Sequence, residues 1–257
     1  MQRDYHVHSN YSDGSFLYLM LEAAEAAGLD AVGVADHCIV SERSALRRER
    51  DVLGFALDVT YGRRRAAIDD LREEFDLRVY DAVEMDYVRA EEDGIADFLA
   101  DAEFDYAVGS VHSVDGVNVQ ADERFADLNA DERRGIVDDY YDSLVALVDS
   151  GLFEIAAHPD LVERNEHLRG LTTEDHYERV AAAFADSRTV PEVNAGRALR
   201  AYGELHPAPR FFEVLREYGV EFTLGTDAHR PGDVAPRIER IEEFCAETGL
   251  EPVELAV

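Results

Sequence analysis

Short apolar runs alternate with amphipathic stretches along most of this chain. The runs Tyr5–His8, Ala31–Ala35, Val79–Met85, Tyr106–Val111, Phe153–Ala157, Val190–Asn194 and Glu221–Gly225 have the length and composition of buried strands. Between them, apolar positions recur at helical spacing in Leu17–Ala27, stopped by Gly28, and in Asp131–Ser150, stopped by Gly151. A further helix is expected after Thr172-Thr173-Glu174-Asp175, and others over Pro207–Tyr218 and Pro236–Thr248. Strand then helix, repeated through seven units, predicts a parallel sheet with helices covering it. Seven units favour a closed or nearly closed barrel over an open sheet. No Pro/Gly/Ser-rich linker, low-complexity segment or fixed-period repeat interrupts the pattern, so residues 1–257 read as one domain.

Charge changes the picture in two ways. The 257 residues carry 25 basic and 56 acidic side chains, a formal net charge of −31, which works against binding nucleic acid or anionic membranes. Hydrophobic residues still make up 46%, so the charge does not signal disorder. All 25 basic residues are arginine, and an acidic, lysine-free surface looks like that of a protein from a high-salt cytoplasm; an Arg-favouring genome is the alternative. Within this acidic chain, residues 41–65 hold Arg43, Arg47, Arg48, Arg50, Arg63, Arg64 and Arg65 against Glu42, Glu49, Asp51 and Asp58. The segment reads as a βα insertion, either a lid over a site or a helical excursion pairing with acidic neighbours.

Two cysteines, Cys38 and Cys245, can neither staple a chain this long nor form a four-thiolate zinc site. No apolar run approaches a membrane span, and the start Met1-Gln2-Arg3-Asp4-Tyr5-His6 lacks a signal-peptide core, so the expected location is the cytoplasm.

Six of the nine histidines fall at the ends of strand-like runs: His6, His8, His37, His112, His158 and His229. Carboxylates stand beside several of them, namely Asp13, Asp36, Glu84 and Asp227. In a β/α barrel the carboxyl ends of the strands open on one face, so these residues converge from distant positions. His6-Val7-His8 also puts two imidazoles on one side of a strand. Imidazole and carboxylate without thiolate suit Zn, Mn or Fe. Even without Asp36, the nine remaining side chains exceed what one ion uses, which points to two or three divalent transition-metal ions, with Glu84 as the bridging carboxylate. Two such ions clamp a phosphoryl oxygen while a bridging hydroxide attacks in line.

Taken in order, His6-Val7-His8-Ser9-Asn10-Tyr11-Ser12-Asp13-Gly14, Ala35-Asp36-His37, Val83-Glu84-Met85-Asp86-Tyr87, Gly109-Ser110-Val111-His112, Ala157-His158-Pro159-Asp160 and Gly225-Thr226-Asp227-Ala228-His229 resemble the motifs of PHP-domain (polymerase and histidinol phosphatase) proteins. The resemblance implies a distorted (β/α)7 TIM-like barrel with a trinuclear metal site at the carboxyl ends of its strands. It assigns His6, His8, Glu84 and Asp227 to one ion, Glu84, His112 and His158 to a second, and Asp13, His37 and His229 to the third. Many members have His where Asp13 stands. Asp36 is expected to orient His37, and Glu84, Asp227 and His229 to act in catalysis.

Pro191-Glu192-Val193-Asn194-Ala195-Gly196-Arg197 followed by Glu204-Leu205-His206-Pro207 resembles the histidinol-phosphatase branch, in which an arginine after the Asn-containing strand grips phosphate. Arg197 is the first candidate, with Arg200 and Arg230 beside it. The function implied is a metal-dependent phosphomonoesterase acting on L-histidinol phosphate, a step of histidine biosynthesis. A phosphoesterase of nucleotides or nucleic-acid ends and a non-catalytic scaffold are the alternatives. The expected partner is a small phosphorylated substrate, with no stable nucleic-acid complex and no membrane.

Overall fold

The computed structural model describes residues 1–257, the side chain of Ser44 excepted. In chain order the elements are β1 (Arg3–Val7), α1 (Leu17–Ala26), β2 (Ala31–Cys38), α2 (Ser44–Leu53), α3 (Leu57–Leu71), β3 (Arg78–Asp86), α4 (Glu92–Ala102), β4 (Tyr106–Ser110), β5 (Ser113–Val114), β6 (Val117–Asn118), α5 (Ala130–Ser150), β7 (Ile155–Ala156), α6 (Glu174–Ala185), β8 (Val190–Asn194), α7 (Pro209–Glu217), β9 (Thr223–Gly225) and α8 (Pro231–Thr248). Seven strands form one parallel sheet in the order β1-β2-β3-β4-β7-β8-β9. Its edges meet where Asp227 N–H donates to the His6 carbonyl at 2.8 Å and His8 N–H to the Ala228 carbonyl at 2.9 Å. The sheet therefore curls into the nearly closed (β/α)7 barrel that the alternation predicts.

Period two along the strands decides what faces the interior. On β2 one row is Ala31, Gly33, Ala35 and His37; on β3 it is Tyr80, Ala82, Glu84 and Asp86; past β4 it continues through Tyr106, Val108, Ser110 and His112. The lower members of these rows pack together with Tyr5, Ile155 and Ala157 as an apolar plug. The upper members are polar. Space in the plug is tight: a Cβ on Gly33 would lie 1.6 Å from the Tyr106 hydroxyl oxygen, so no larger residue fits. The opposite rows, including Val32, Val34 and Val79, meet the covering helices. There α1 buries Leu17, Met20, Leu21 and Ala24, spaced as one helical face.

Several boundaries differ from the sequence expectation. The hairpin β5–β6 is too short to leave a periodic signal. The last helix begins at Pro231 rather than Pro236: Pro231 sits in the first turn, where a missing N–H costs nothing. Arg237 then ties that start to the carbonyls of Thr226 and Asp227. Residues 41–65 fall largely within α2 and α3. Arg64 is fully buried and pairs with Asp36 at 2.9 Å and Asp81 at 2.7 Å, while Arg65 pairs with Asp81 at 2.7 Å. Among the described residues, no helix is long and apolar enough to cross a membrane.

Candidate active site

The upper rows converge at the carboxyl-terminal mouth of the barrel, with Glu84 at the centre. Its Oε2 lies 3.3 Å from His6 Nε2, 3.5 Å from His8 Nε2 and 2.8 Å from His37 Nδ1. Its Oε1 lies 3.4 Å from His112 Nε2 and 3.1 Å from His158 Nε2. Asp227 Oδ1 stands 3.4 Å from both His8 and His229, and Asp13 Oδ1 is 3.3 Å from His229 and 3.7 Å from His37. All nine expected donors thus share one cluster.

Three subsets place ligand atoms within 4.8 Å of one another: His6, His8 and Asp227; His37, Glu84 and His112; and His8, Asp13, His37 and His229. The partition differs from the family-based one in that His37 joins the Glu84 group and His8 the Asp13 group. His158 belongs to none of the three, although it touches Glu84.

Two kinds of observation say that these donors fit a divalent transition ion. First, Glu84 Oε2, His37 Nδ1 and His158 Nδ1 are buried without a hydrogen-bond partner; the short His37–Glu84 approach has the distance of a bond and not its direction. An unsatisfied buried polar atom costs about 1–3 kcal/mol, and a ligand between the donors removes that cost. Second, the donor set is all nitrogen and oxygen, the chemistry that Zn, Mn and Fe accept.

Protonation divides the cluster: against burial, neighbouring carboxylates raise His6, His112 and His229, and bring His37 to about 8, so an ion bound there would displace protons. Burial alone would raise the Glu84 carboxyl, but His37, His6 and His112 hold it well below the usual range. Burial, with His229 and His37 adding to it, pushes His8 down to about 3, and burial brings His158 to about 4. Burial thus favours the neutral form of these two rings, the state in which imidazole binds metal.

Buried carboxylates set the outer ring nitrogens. His6 Nδ1 is 2.9 Å from Glu192 and His112 Nδ1 is 2.6 Å from Asp86, which leaves the Nε2 atoms facing Glu84. Space for Glu192 comes from Gly225, where a Cβ would lie 1.6 Å from the carboxylate. His158 and Asp227 adopt left-handed backbone, with φ of 28° and 52°. Non-glycine residues there store about 1–3 kcal/mol of strain, held where the site needs the side chains aimed.

Asp36 does not orient His37. Adjacent strand residues point to opposite faces, so His37 enters the barrel and Asp36 leaves it. Asp36 instead accepts bonds from Ser9 N–H (2.6 Å), the Ser9 and Ser12 hydroxyls (2.7 and 2.8 Å) and Arg64 (2.9 Å). It shapes the loop that carries Asp13.

A cavity of about 310 Å³ opens over the donors, and Arg197, Arg200 and Arg230 all line it from exposed positions. Two further arginines line it that sequence reasoning missed. Arg237 is spent on main-chain carbonyls and Asp233. Arg164 is nearly buried, its side chain 9% exposed, with Nη2 3.1 Å from Asn194 Oδ1 and 3.5 Å from Asp227 Oδ2. Its sequence signal was faint, an arginine ending the short turn Leu161–Arg164 beyond His158. A larger cavity, about 630 Å³, lies beyond Asp86 and is lined by none of the nine donors.

The sequence profile of the PHP domain matches residues 4–196. A protein of Deinococcus radiodurans named "Probable histidinol-phosphatase" is 29% identical over 177 residues, 67% of this chain; the match spans 66% of that protein's length. The crystal structure of histidinol phosphate phosphatase from Lactococcus lactis, complexed with zinc, L-histidinol and phosphate, superposes with a TM-score of 0.81 at 19% identity, covering 98% of this chain and 95% of the other. That likeness is one of fold.

Proposed function

The chain belongs to the PHP domain family, and from that premise we propose that it is a metal-dependent phosphatase of small phosphate monoesters, with L-histidinol phosphate as substrate and L-histidinol as product. The observation that carries this reading is Glu84, a buried carboxylate surrounded by five imidazoles and keeping one oxygen without a hydrogen bond. His6, His8, Asp13, His37, Glu84, His112, His158, Asp227 and His229 would hold two or three divalent ions. Ions held there supply Lewis-acid polarisation of a phosphoryl oxygen.

The chain's own residues do the rest. Arg164 meets the phosphoryl oxygens from within the wall of the cavity, and Arg197, Arg200 and Arg230 draw the anion in from the rim. Asp227 turns Oδ1 to His8 and His229 and Oδ2 toward Arg164, and Oδ2 would take a proton from the attacking water and pass it to the leaving alcohol. His229 Nδ1, 2.9 Å from the Asp227 carbonyl oxygen, keeps that turn in place. Arg164, Arg197, Arg200 and Arg230 give a phosphate-sized anion local attraction inside a chain of net charge −31, whose overall field disfavours a polyanion. The names of the Deinococcus and Lactococcus proteins support histidinol phosphate as the ester to try first.

The test is phosphate release from a panel of esters by metal-loaded protein. The highest kcat/KM is expected with L-histidinol phosphate. Equal or faster hydrolysis of nucleotides would overturn the substrate assignment, and no release from any ester would overturn the phosphatase reading.

A further inference from the structure

The motif Glu204-Leu205-His206-Pro207 lies outside the nine donors, yet His206 is completely buried beside the cavity wall. Its Nε2 is 2.8 Å from Arg164 Nε and its Nδ1 is 2.5 Å from Asp160 Oδ1. Arginine Nε always carries a proton. His206 Nε2 must therefore accept, which puts the ring proton on Nδ1, where Asp160 accepts it. Asp160 is fixed in turn, its second oxygen accepting the Ala208 N–H at 2.6 Å. Tyr202 stacks on the imidazole, ring centroids 4.9 Å apart and 11° from parallel.

The same segment holds the other side of the guanidinium. His206 and Asn194 exchange two main-chain hydrogen bonds of 2.9 and 3.0 Å, and Asn194 Oδ1 accepts from Arg164 Nη2. Arg164 is thus gripped at Nε and Nη2 from one rigid unit, while Nη1 has only a 3.4 Å contact with Gln120. Its partners are chiefly neutral. Among the described residues, Asp227 at 3.5 Å is its only carboxylate within ion-pair distance, and Asp227 is shared with His8 and His229. A buried cation held by an imidazole and an amide keeps its charge available to an incoming anion.

We propose that Asp160 and His206 are a positioning pair, which sets the Arg164 guanidinium so that it can grip the phosphoryl group. The proposal rests on reading Arg164 as the phosphate contact. Burial and the neighbouring guanidinium lower the His206 pKa against the pull of Asp160, which keeps the ring neutral and its Nε2 able to accept.

The experiment measures binding of inorganic phosphate to metal-loaded protein by calorimetry, with KM and kcat on a phosphate monoester. His206→Ala should weaken phosphate binding and raise KM by about tenfold, the worth of a hydrogen bond to a charged group, while kcat changes less. His206→Gln, whose amide offers one acceptor and one donor, should recover most of the loss. Where the alanine variant unfolds, His206→Leu fills the volume without either bond and should behave alike. The double variant Arg164→Ala/His206→Ala should bind no worse than Arg164→Ala alone, because the second residue acts through the first. Additive losses, or unchanged phosphate binding in His206→Ala, overturn the positioning pair. If Arg164→Ala itself binds phosphate normally, the reading of Arg164 falls, and the pair's role with it.

Discussion

Two regions bury charge on opposite sides of the same strands, and they differ in what is left over. Outside the barrel, between β2, β3 and α3, Asp36, Arg64 and Asp81 form a buried network in which every carboxylate oxygen accepts a bond, and Arg64 Nε alone lacks a partner. Inside, one residue along from Asp36, His37 faces Glu84, and both keep buried atoms unsatisfied. Apart from that one N–H, the outer network is satisfied within the chain and serves stability. The inner one is complete only with a ligand, and serves chemistry.

The largest effect should come from Glu84→Ala. It removes the carboxylate common to five imidazoles, and turnover should fall by at least about a hundredfold, beyond the usual loss for residues behind a metal ligand. Steady-state kinetics on folded protein would check it.

Arg64→Met should be the most damaging change on the outer side. It removes the guanidinium bonded to buried Asp36, while Asp81 keeps Arg65, at a cost of about 3–5 kcal/mol in unfolding free energy, measured by denaturant titration. An equally stable variant would mean that water reaches the network.

Chelation sharpens the contrast from the ligand's side. Ions bound only by the folded state at a hundredfold over their Kd add about 2.7 kcal/mol, so metal-free protein should melt earlier. Arg64→Met should keep this metal-dependent increment, and Glu84→Ala should lose most of it.

The outer network also predicts an acid response. Burial would raise the Asp36 carboxyl, but Arg64, His8 and the Ser9 hydroxyl hold it below its ordinary value. A carboxylate depressed in the folded state contributes stability above its unfolded pKa, about 3.9, and that contribution disappears as pH falls through the folded value. Asp36→Asn should flatten this part of the stability–pH curve.

The smallest effect concerns the surface. With a net charge of −31, added KCl should raise the melting temperature by relieving repulsion. A flat response would mean that local pairs, such as Arg210 with Glu174 and Glu213, already neutralise the field.

The inner region was largely legible in the sequence because its residues sit at fixed places in a repeating pattern. A strand end marks His37 and His112, and period two marks His6 with His8. The outer partners were not legible, since Arg64 looks like its exposed neighbours in an arginine-rich run until α3 packs on β2 and β3. Glu192, Asp86 and Arg164 were missed for the same reason: each gains its role from a neighbour distant in sequence. Asp36 was misread because its adjacency to His37 suggested contact, whereas strand geometry separates them.

Metal content of three proteins prepared alike tests the central claim most directly. Elemental analysis should give two or three transition ions per chain in the unaltered protein, the same number in Asp36→Asn, and fewer in Glu84→Ala. Equal counts in all three, or a metal-free protein with full activity, would contradict the account.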